Sequence, residues 1–289
     1  MNTKKSKNKK SKFNGTVAII GLGLLGSSLG LALSKKGYKR IGWSRRKESR
    51  TVAIKNGVID IATEKPEDAI SNADITVICL PISNTISFCA EFADKWRKGA
   101  IATDVGSVKE IIVKKNVPLL DKYDVQFIGS HPMAGSEKSG AEAASATLYN
   151  GATVFLTPAE GNTEEAVSKI KQLWEAVGAK TVQIDSKLHD SIVSFSSHLV
   201  HVVSMSLVKT VLDADPKYRK LRELACAGGF RDTTRTASSN PQMWREIVEN
   251  NKHNVLKSVA KFADSLERVK ELIEQDKFDL FEKTFSEAK

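Results

Sequence analysis

Short β-rich runs alternate with helical segments over residues 15–185 and then give way to helix alone, which predicts an α/β parallel-sheet domain followed by an all-helical domain. A glycine-rich turn, Gly21-x-Gly23-x-x-Gly26, sits between the first apolar run and the first helix and sharpens the reading of the first half. A length of 289 residues suits two domains. The composition, 41% hydrophobic and 27% charged with 18 Gly and 7 Pro, excludes a wholly disordered, collagenous or disulfide-scaffold chain.

Thr16–Ile20 (TVAII) is β-rich, and directly after GLGLLG the pattern switches to a helical run that Gly37 stops. Residues 38–43 (YKRIGW) read as a second strand, and 54–60 as a short helix end and turn. Residues 75–80 (ITVICL) are apolar but for Thr76 and closed by Pro81, as a buried parallel strand is. Helix is expected over 84–95, strand over 100–104, a helix starting within 105–113, and strands at 126–129 and 153–157. The segment 163–177 is an amphipathic helix, opened by Thr163 with Glu164 and Glu165 in its first turn. Residues 181–184 close the alternation. Beyond Asp185, residues 187–213, 217–226 and 241–287 read as helix, with Gly228-Gly229 and 238–241 as punctuation. The expected divisions are therefore a tail over 1–14, an α/β domain over 15–185 and a helical domain over 186–289. The helical domain is small and its 191–208 stretch is apolar, so burial against a second copy of the chain, in a homodimer, is expected.

The formal net charge of +10 is unevenly spread. Six lysines and no acid lie within MNTKKSKNKKSK at the N-terminus, so the rest of the chain carries only +4. A lysine tail spaced by Ser and Asn cannot bury apolar area and is expected to be disordered. The body is not basic and shows no aromatic-basic stripe, so no nucleic-acid partner is expected. Cys79, Cys89 and Cys226 form an odd set with no CxxC and lie among apolar neighbours, as buried free thiols in a reducing compartment do. The basic start and the apolar run 17–33 imitate a signal peptide. Glycines interrupt the run, however, and Lys35-Lys36-Gly37 stands where a small-residue cleavage site belongs. The run 191–211 is too rich in Ser and His for a comfortable membrane span. A cytoplasmic protein with no membrane partner is the expectation.

Strand, Gly21-Leu22-Gly23-Leu24-Leu25-Gly26 and helix together make the dinucleotide fingerprint of a Rossmann-type domain. Gly21 allows the turn, Gly23 lets the backbone approach a pyrophosphate, and Gly26 lets helix and strand pack closely, with the phosphates on the helix N-terminus. At the end of the second strand an NAD site wants a carboxylate for the ribose hydroxyl. Here Trp43-Ser44-Arg45-Arg46 offers a hydroxyl and two guanidiniums instead, which suit a 2′-phosphate. The preferred cofactor is therefore NADP, with NAD possible, because an arginine stacked on adenine serves either.

Three segments can carry chemistry. In Asp104-Val105-Gly106-Ser107-Val108-Lys109, Ser107 and Lys109 can point at a ligand, or Ser107 can simply cap a helix. In Gly129-Ser130-His131-Pro132-Met133-Ala134-Gly135-Ser136, a histidine directly after a buried strand is poorly placed for a core role and well placed as an acid or base. Removing hydride from an alcohol needs a base for the hydroxyl proton, and imidazole serves near neutrality. The third segment is split. His198 and His201, three apart, share one face of an apolar helix; no Cys or acid joins them at metal-ligand spacing, so no metal is expected. They either fill a core or line a polar pocket. GGFRDTTR at 228–235 supplies two arginines for an anionic substrate, and Trp244 is a core anchor or an aromatic wall.

Taken together, GLGLLGSSL at 21–29, DVGSVK at 104–109, HPMAGSEKSG at 131–140, SHLVH at 197–201 and GGFRDTTRTASSNPQMW at 228–244 resemble the prephenate/arogenate dehydrogenase family of tyrosine biosynthesis. The resemblance covers nearly the whole chain after the tail. It implies oxidative decarboxylation of a cyclohexadiene: hydride leaves the C4 carbinol for the nicotinamide while the ring carboxylate departs as CO2. It also implies His131 as the catalytic histidine, Ser107 as its hydroxyl partner and Arg235 as the grip on the ring carboxylate. His198, His201 and the loop hydroxyl Ser136 become substrate-pocket residues, and Trp244 an aromatic near the subunit boundary. The expected partner is a small-molecule dicarboxylate or amino acid. Prephenate is preferred, with arogenate or dual specificity as the alternative; Glu137 can pair with arogenate's ammonium or with Lys138 or Arg231. The chain departs from the SHLPH form at Val200, a change expected to affect helix shape more than chemistry. A β-hydroxyacid dehydrogenase would share residues 16–42 but wants a lysine base that 191–208 lacks. A catalytically silent nucleotide sensor would not need His131 with Arg235.

Overall fold

The computed structural model describes residues 15–135, 140–213 and 215–289. The expectations for the lysine tail, Ser136, Glu137 and Lys138 fall outside them. The first unit, residues up to His189, is built on an eight-stranded sheet. In chain order its elements are β1 (Thr16–Ile20), α1 (Leu24–Leu33), β2 (Lys39–Trp43), α2 (Lys47–Lys55), β3 (Ile61–Ala62), α3 (Pro66–Ile70), β4 (Ile75–Ile78) and α4 (Ile82–Glu91). After these come β5 (Ile101–Asp104), α5 (Glu110–Leu120), β6 (Gln126–Pro132), β7 (Thr153–Thr157), α6 (Glu164–Ala176) and β8 (Lys180–Gln183). The strand order is β3-β2-β1-β4-β5-β6-β7-β8, so the sheet turns outward in both directions from the β1/β4 boundary. At such a boundary two neighbouring strands send their connections to opposite sides and open a crevice at their carboxyl ends.

β1 and β4 are buried almost throughout, as the continuous apolar runs require of strands covered on both faces. Every strand pair is parallel except β6–β7, where His131 faces Phe155 and Ser130 faces Leu156 in an antiparallel ladder. The reversal has a local cause. Between β6 and β7 the described chain makes only a short 3₁₀ turn at Ala141–Ala143, with no crossover helix to carry it back to the opposite edge. Trp174, Tyr149 and Leu29 anchor the core, and the Tyr149 hydroxyl donates to Leu25 O of α1 at 2.8 Å.

The helix expected to start within 105–113 does so, at Glu110, after a tight turn over 105–109. Other sequence expectations shift. β3 and α3 went unnoticed, one being two residues long and the other five. Cys89 is buried, whereas Cys79 and Cys226 are only half-buried; all three are free thiols.

The second unit, Asp190–Lys289, is helical. The division falls at 189/190, inside a helix that starts at Ser186, so the two units share a continuous element. That element comprises α7 (Ser186–Val193), a π-type turn at Ser194–His198 and α8 (Leu199–Asp213). It is followed by α9 (Arg219–Ala225), α10 (Gly228–Thr234), α11 (Pro241–Asn250), α12 (Lys252–Glu274) and α13 (Phe278–Glu287). Gly228-Gly229 is not punctuation but the first turn of α10, with Ala227 as its N-cap residue. The run 241–287 is three helices, broken at Asn251 and again at 275–277, where Asp276 takes a left-handed conformation. By length and apolarity, Ser186–Asp213 passes for a membrane span.

Candidate active site

The candidate residues lie in two clusters, one in each unit. In the sheet unit, the carboxyl ends of β1, β2, β5 and β6 carry four of the predicted segments. Gly21 has φ +100°, and a Cβ there would lie 2.4 Å from Cys79 O. A Cβ at Gly26 would lie 1.9 Å from Gly21 O, so that helix and turn touch backbone to backbone. Gly23 is different: nothing of the protein lies within 4 Å of its missing Cβ, it is exposed, and it is the N-cap residue of α1. No side chain caps that helix and no acid stands in its first turn, so its N-terminal amides and positive dipole end suit an anion. Leu22 is buried in the core and offers only backbone here, while Leu24 and Leu25 are half-buried in the first turn of α1.

At the end of β2, Ser44 is half-buried and Arg45 and Arg46 are exposed. Arg50 Nη1 donates to Ser44 O at 2.6 Å, tying the turn to α2. Beside it an open cleft is lined by Lys47, Arg50, Thr51, Thr63 and Glu64.

At the ends of β5 and β6 the packing is tighter. All of residues 101–109 are buried except Ser107, which is half-buried. Lys109 does not point at a ligand. It is fully buried, its ammonium is ion-paired with the equally buried Asp104 Oδ2, and it donates to Ser130 O at 2.9 Å. His131 is 7% exposed, and its Nδ1 lies 2.9 Å from Nε2 of His189. The two rings meet edge-on at 5.1 Å, and Phe155, the cross-strand neighbour of His131, also meets His189 edge-on at 5.5 Å. A single proton can occupy that N···N line, so one imidazole is donor and the other acceptor. If His131 accepts at Nε2, its proton sits on Nδ1 and His189 receives it. His189 is the functional candidate that the sequence concealed: it lies 58 residues from His131, in a helix start whose surroundings carry no motif.

In the helical unit, His198, His201, Trp244 and Arg235 come together. His201 stacks on Trp244 with ring centroids 3.7 Å apart and planes at 26°, and His198 meets the same indole edge-on at 5.9 Å. His198 is fully buried. The Asn251 amide donates to Asp190 O at 2.8 Å and to His198 Nδ1 at 3.1 Å, which leaves His198 protonated at Nε2. His201 Nδ1 donates to Ser197 O at 3.0 Å, so its Nε2 is an acceptor. Burial, aided by the Arg235 guanidinium, holds His201 below the ordinary histidine range. Arg235 is exposed at the head of a 3₁₀ turn, Arg235–Ser238. The π-type turn sits directly before Leu199 and includes His198, a distortion common at functional sites. Among the described residues no three His, Cys, Asp or Glu gather to hold a metal.

A doubly wound sheet with a glycine-rich turn at its switch point, a histidine at a neighbouring strand end and a following helical unit define a nicotinamide-dinucleotide-dependent dehydrogenase. Comparison with known proteins makes the class specific. The profile described as "Prephenate dehydrogenase, nucleotide-binding domain" matches residues 29–183, and "Prephenate dehydrogenase, dimerization domain" matches 185–287. Prephenate dehydrogenase of Bacillus subtilis is 34% identical over 278 residues, covering 95% of this chain and 74% of that one. Cyclohexadienyl dehydrogenase of Zymomonas mobilis is 31% identical, covering 94% and 93%. The crystal structure of prephenate dehydrogenase from A. aeolicus, in complex with hydroxyphenyl propionate and NAD+, superposes with a TM-score of 0.88 at 33% identity, covering 96% and 97%. The chain belongs to the prephenate dehydrogenase family.

Proposed function

We propose that the enzyme oxidises and decarboxylates prephenate to 4-hydroxyphenylpyruvate. The observation that carries this is His131, seated at a strand end with its Nδ1 2.9 Å from His189 Nε2; with the proton of that line on His131 Nδ1, its Nε2 works as an acceptor. A dinucleotide held by its pyrophosphate at the Gly21–Gly26 turn would supply, through its nicotinamide ring, the acceptor for the hydride that leaves the ring carbinol carbon. His131 Nε2 holds the hydroxyl proton as the carbonyl forms, and Ser107, the one accessible side chain of its turn, shares that hydroxyl. The ring carboxylate departs as CO2, its bonding pair enters the ring, and the oxygen ends as a phenol. Arg235 is the proposed grip on the ring carboxylate, as a guanidinium fork suits, and His198, His201, Trp244 and Ser136 are the proposed substrate-binding residues. Prephenate is preferred over arogenate. A Glu137→Gln variant that alters the ratio of kcat/KM for the two substrates would assign Glu137 to arogenate's ammonium.

We further propose NADP as the preferred cofactor, on the support of Ser44, Arg45 and Arg46 at the position where an NAD enzyme wants a carboxylate. The protein is read as a cytoplasmic homodimer with no membrane partner. The helix Ser186–Asp213 is read as supplying a subunit seam rather than a span, since it carries Ser191, Ser194, Ser196, Ser197, His198 and His201. The test is turnover of prephenate and of arogenate, each with NADP and NAD, followed by nicotinamide absorbance. Prephenate with NADP is expected to be fastest. An Arg45→Ala/Arg46→Ala variant is expected to raise KM for NADP by about tenfold or more and leave that for NAD nearly unchanged. Silence with all four pairs, despite dinucleotide binding, overturns the assignment.

A further inference from the structure

The most unusual group outside the reacting residues is the ion pair of Asp104 and Lys109, with both side chains at 0% exposure. A buried pair contributes little to stability compared with apolar side chains of the same volume, so its placement calls for a reason. The backbone supplies one. β5 and β6 pair in parallel only as far as Thr103 and Ile128, and beyond that point the ladder stops. On its other side β6 runs on beside β7 to Pro132, carrying His131 past the end of β5. Successive residues of a strand send their amide groups to opposite sides, so Ser130 turns its N–H and C=O toward β5, where no strand remains to receive them.

Asp104 and Lys109 fill that gap. Asp104 Oδ1 accepts from Ser130 N at 3.1 Å, and Lys109 Nζ donates to Ser130 O at 2.9 Å. The other carboxylate oxygen accepts from Gly106 N at 2.8 Å and from the ammonium itself. One ion pair thus ties the residue before His131 to the residue before Ser107. The two glycines beside it are cut to its shape: a Cβ at Gly106 would lie 2.8 Å from Asp104 Oδ2, and one at Gly129 would lie 3.4 Å from Lys109 Cδ and 2.3 Å from Thr157 Oγ1. The Ser130 hydroxyl completes the brace, 2.6 Å from Thr103 Oγ1 and 3.2 Å from Trp174 Nε1.

We propose that Asp104 and Lys109 are positioning residues: a buried side-chain bridge that replaces the missing β5–β6 ladder and fixes the spacing between Ser107 and His131. The inference rests on the reading of those two groups as the ones that act on the substrate hydroxyl. Both side chains are fully buried, so their role is to position others and not to contact a substrate.

The test compares two charge-neutral double variants. Asp104→Asn/Lys109→Met removes the bridge without stranding a buried charge. Arg40→Met/Asp60→Asn removes a second ion pair of the sheet unit, in which the buried Arg40 reaches with Nη2 to Oδ1 of the exposed Asp60 at 2.5 Å. Activity is expressed per dinucleotide-binding site, counted by calorimetric titration with NADP, so that only folded protein enters the figure. For the bridge variant kcat is expected to fall about 30-fold or more, with KM for prephenate and Kd for NADP within about threefold, since misplacement of reacting groups by about 1 Å can cost 100-fold. The deuterium isotope effect with prephenate labelled at the carbinol carbon rises as chemistry becomes slower. The Arg40/Asp60 variant keeps kcat within about twofold. Equal kcat per site in both double variants overturns the proposal. If the bridge double variant yields no binding sites, Asp104→Asn alone is scored by the same criteria. Failure of the functional reading is separate and shows in the wild type, as silence with every substrate pair. In that case the imidazole ¹⁵N signals of His131 decide: displacement in the bridge variant supports the brace, and unchanged signals overturn it.

Discussion

At the scale of single residues, the site depends on which nitrogen of each histidine holds a proton. His131 can accept at Nε2 only while His189 Nε2 receives its Nδ1–H, across 2.9 Å. His131→Asn is expected to lower kcat by about 10² to 10⁴, the usual contribution of a positioned acid-base group, with NADP affinity retained in a direct titration. His189→Phe keeps the ring bulk but offers no acceptor, and should lower kcat by about tenfold or more; His189→Gln, which restores an acceptor, should recover part of it. His201 gives a pH signature in stability. Its folded-state value lies below the ordinary 6.5, through burial and the Arg235 charge. Between those two values the unfolded chain binds more protons, so stability is full above about pH 6.5 and falls as pH drops toward the folded value. Thermal melts at about pH 7.5 and 5.5 should therefore differ less for His201→Gln than for the wild type.

At the scale of elements, the glycine turn separates two roles that substitution can tell apart. Gly26→Ala sets a methyl 1.9 Å from Gly21 O, where only backbone can give way. It is expected to cost about 1–3 kcal/mol of stability, together with dinucleotide affinity. Gly23→Ala meets no protein atom within 4 Å, in a backbone conformation that alanine adopts. It should leave stability within about 0.5 kcal/mol and yet weaken NADP binding, because its methyl occupies the place proposed for the pyrophosphate. Equal NADP affinity in Gly23→Ala and wild type, measured by calorimetry, would move the phosphates elsewhere. This turn was legible in the sequence because strand, glycine spacing and helix are all local. β3, α3 and the helical character of Gly228-Gly229 were not, being short elements whose formation depends on packing rather than on their own periodicity.

At the scale of the whole molecule, the helical unit leaves much apolar surface uncovered. Leu188, Ile192 and Phe195 follow one another at helical spacing along the shared helix, at 52%, 42% and 46% exposure. Solvent does not favour such a stripe, and a second copy of the chain would cover it. Ile192→Glu/Phe195→Glu is expected to convert a dimer into monomers in sedimentation velocity, while far-ultraviolet circular dichroism stays unchanged. A dimer that survives the double substitution places the seam on another face.

What the sequence determined by itself was what neighbours along the chain determine: the alternation that makes a parallel sheet, the glycine turn at its switch point, the missing carboxylate after β2, and a histidine at a strand end. It also marked Arg235, His198 and His201 as polar groups in segments otherwise glycine-rich or apolar. Only the tertiary structure decided that His131 is held by His189, that Lys109 faces inward to Asp104, and that Trp244 meets both His198 and His201. Each of these joins residues through hydrogen bonds, charges or ring faces within about 6 Å in space. Spacing along the chain carries that information for Asp104 and Lys109 only as a short motif, and for His131 and His189 not at all.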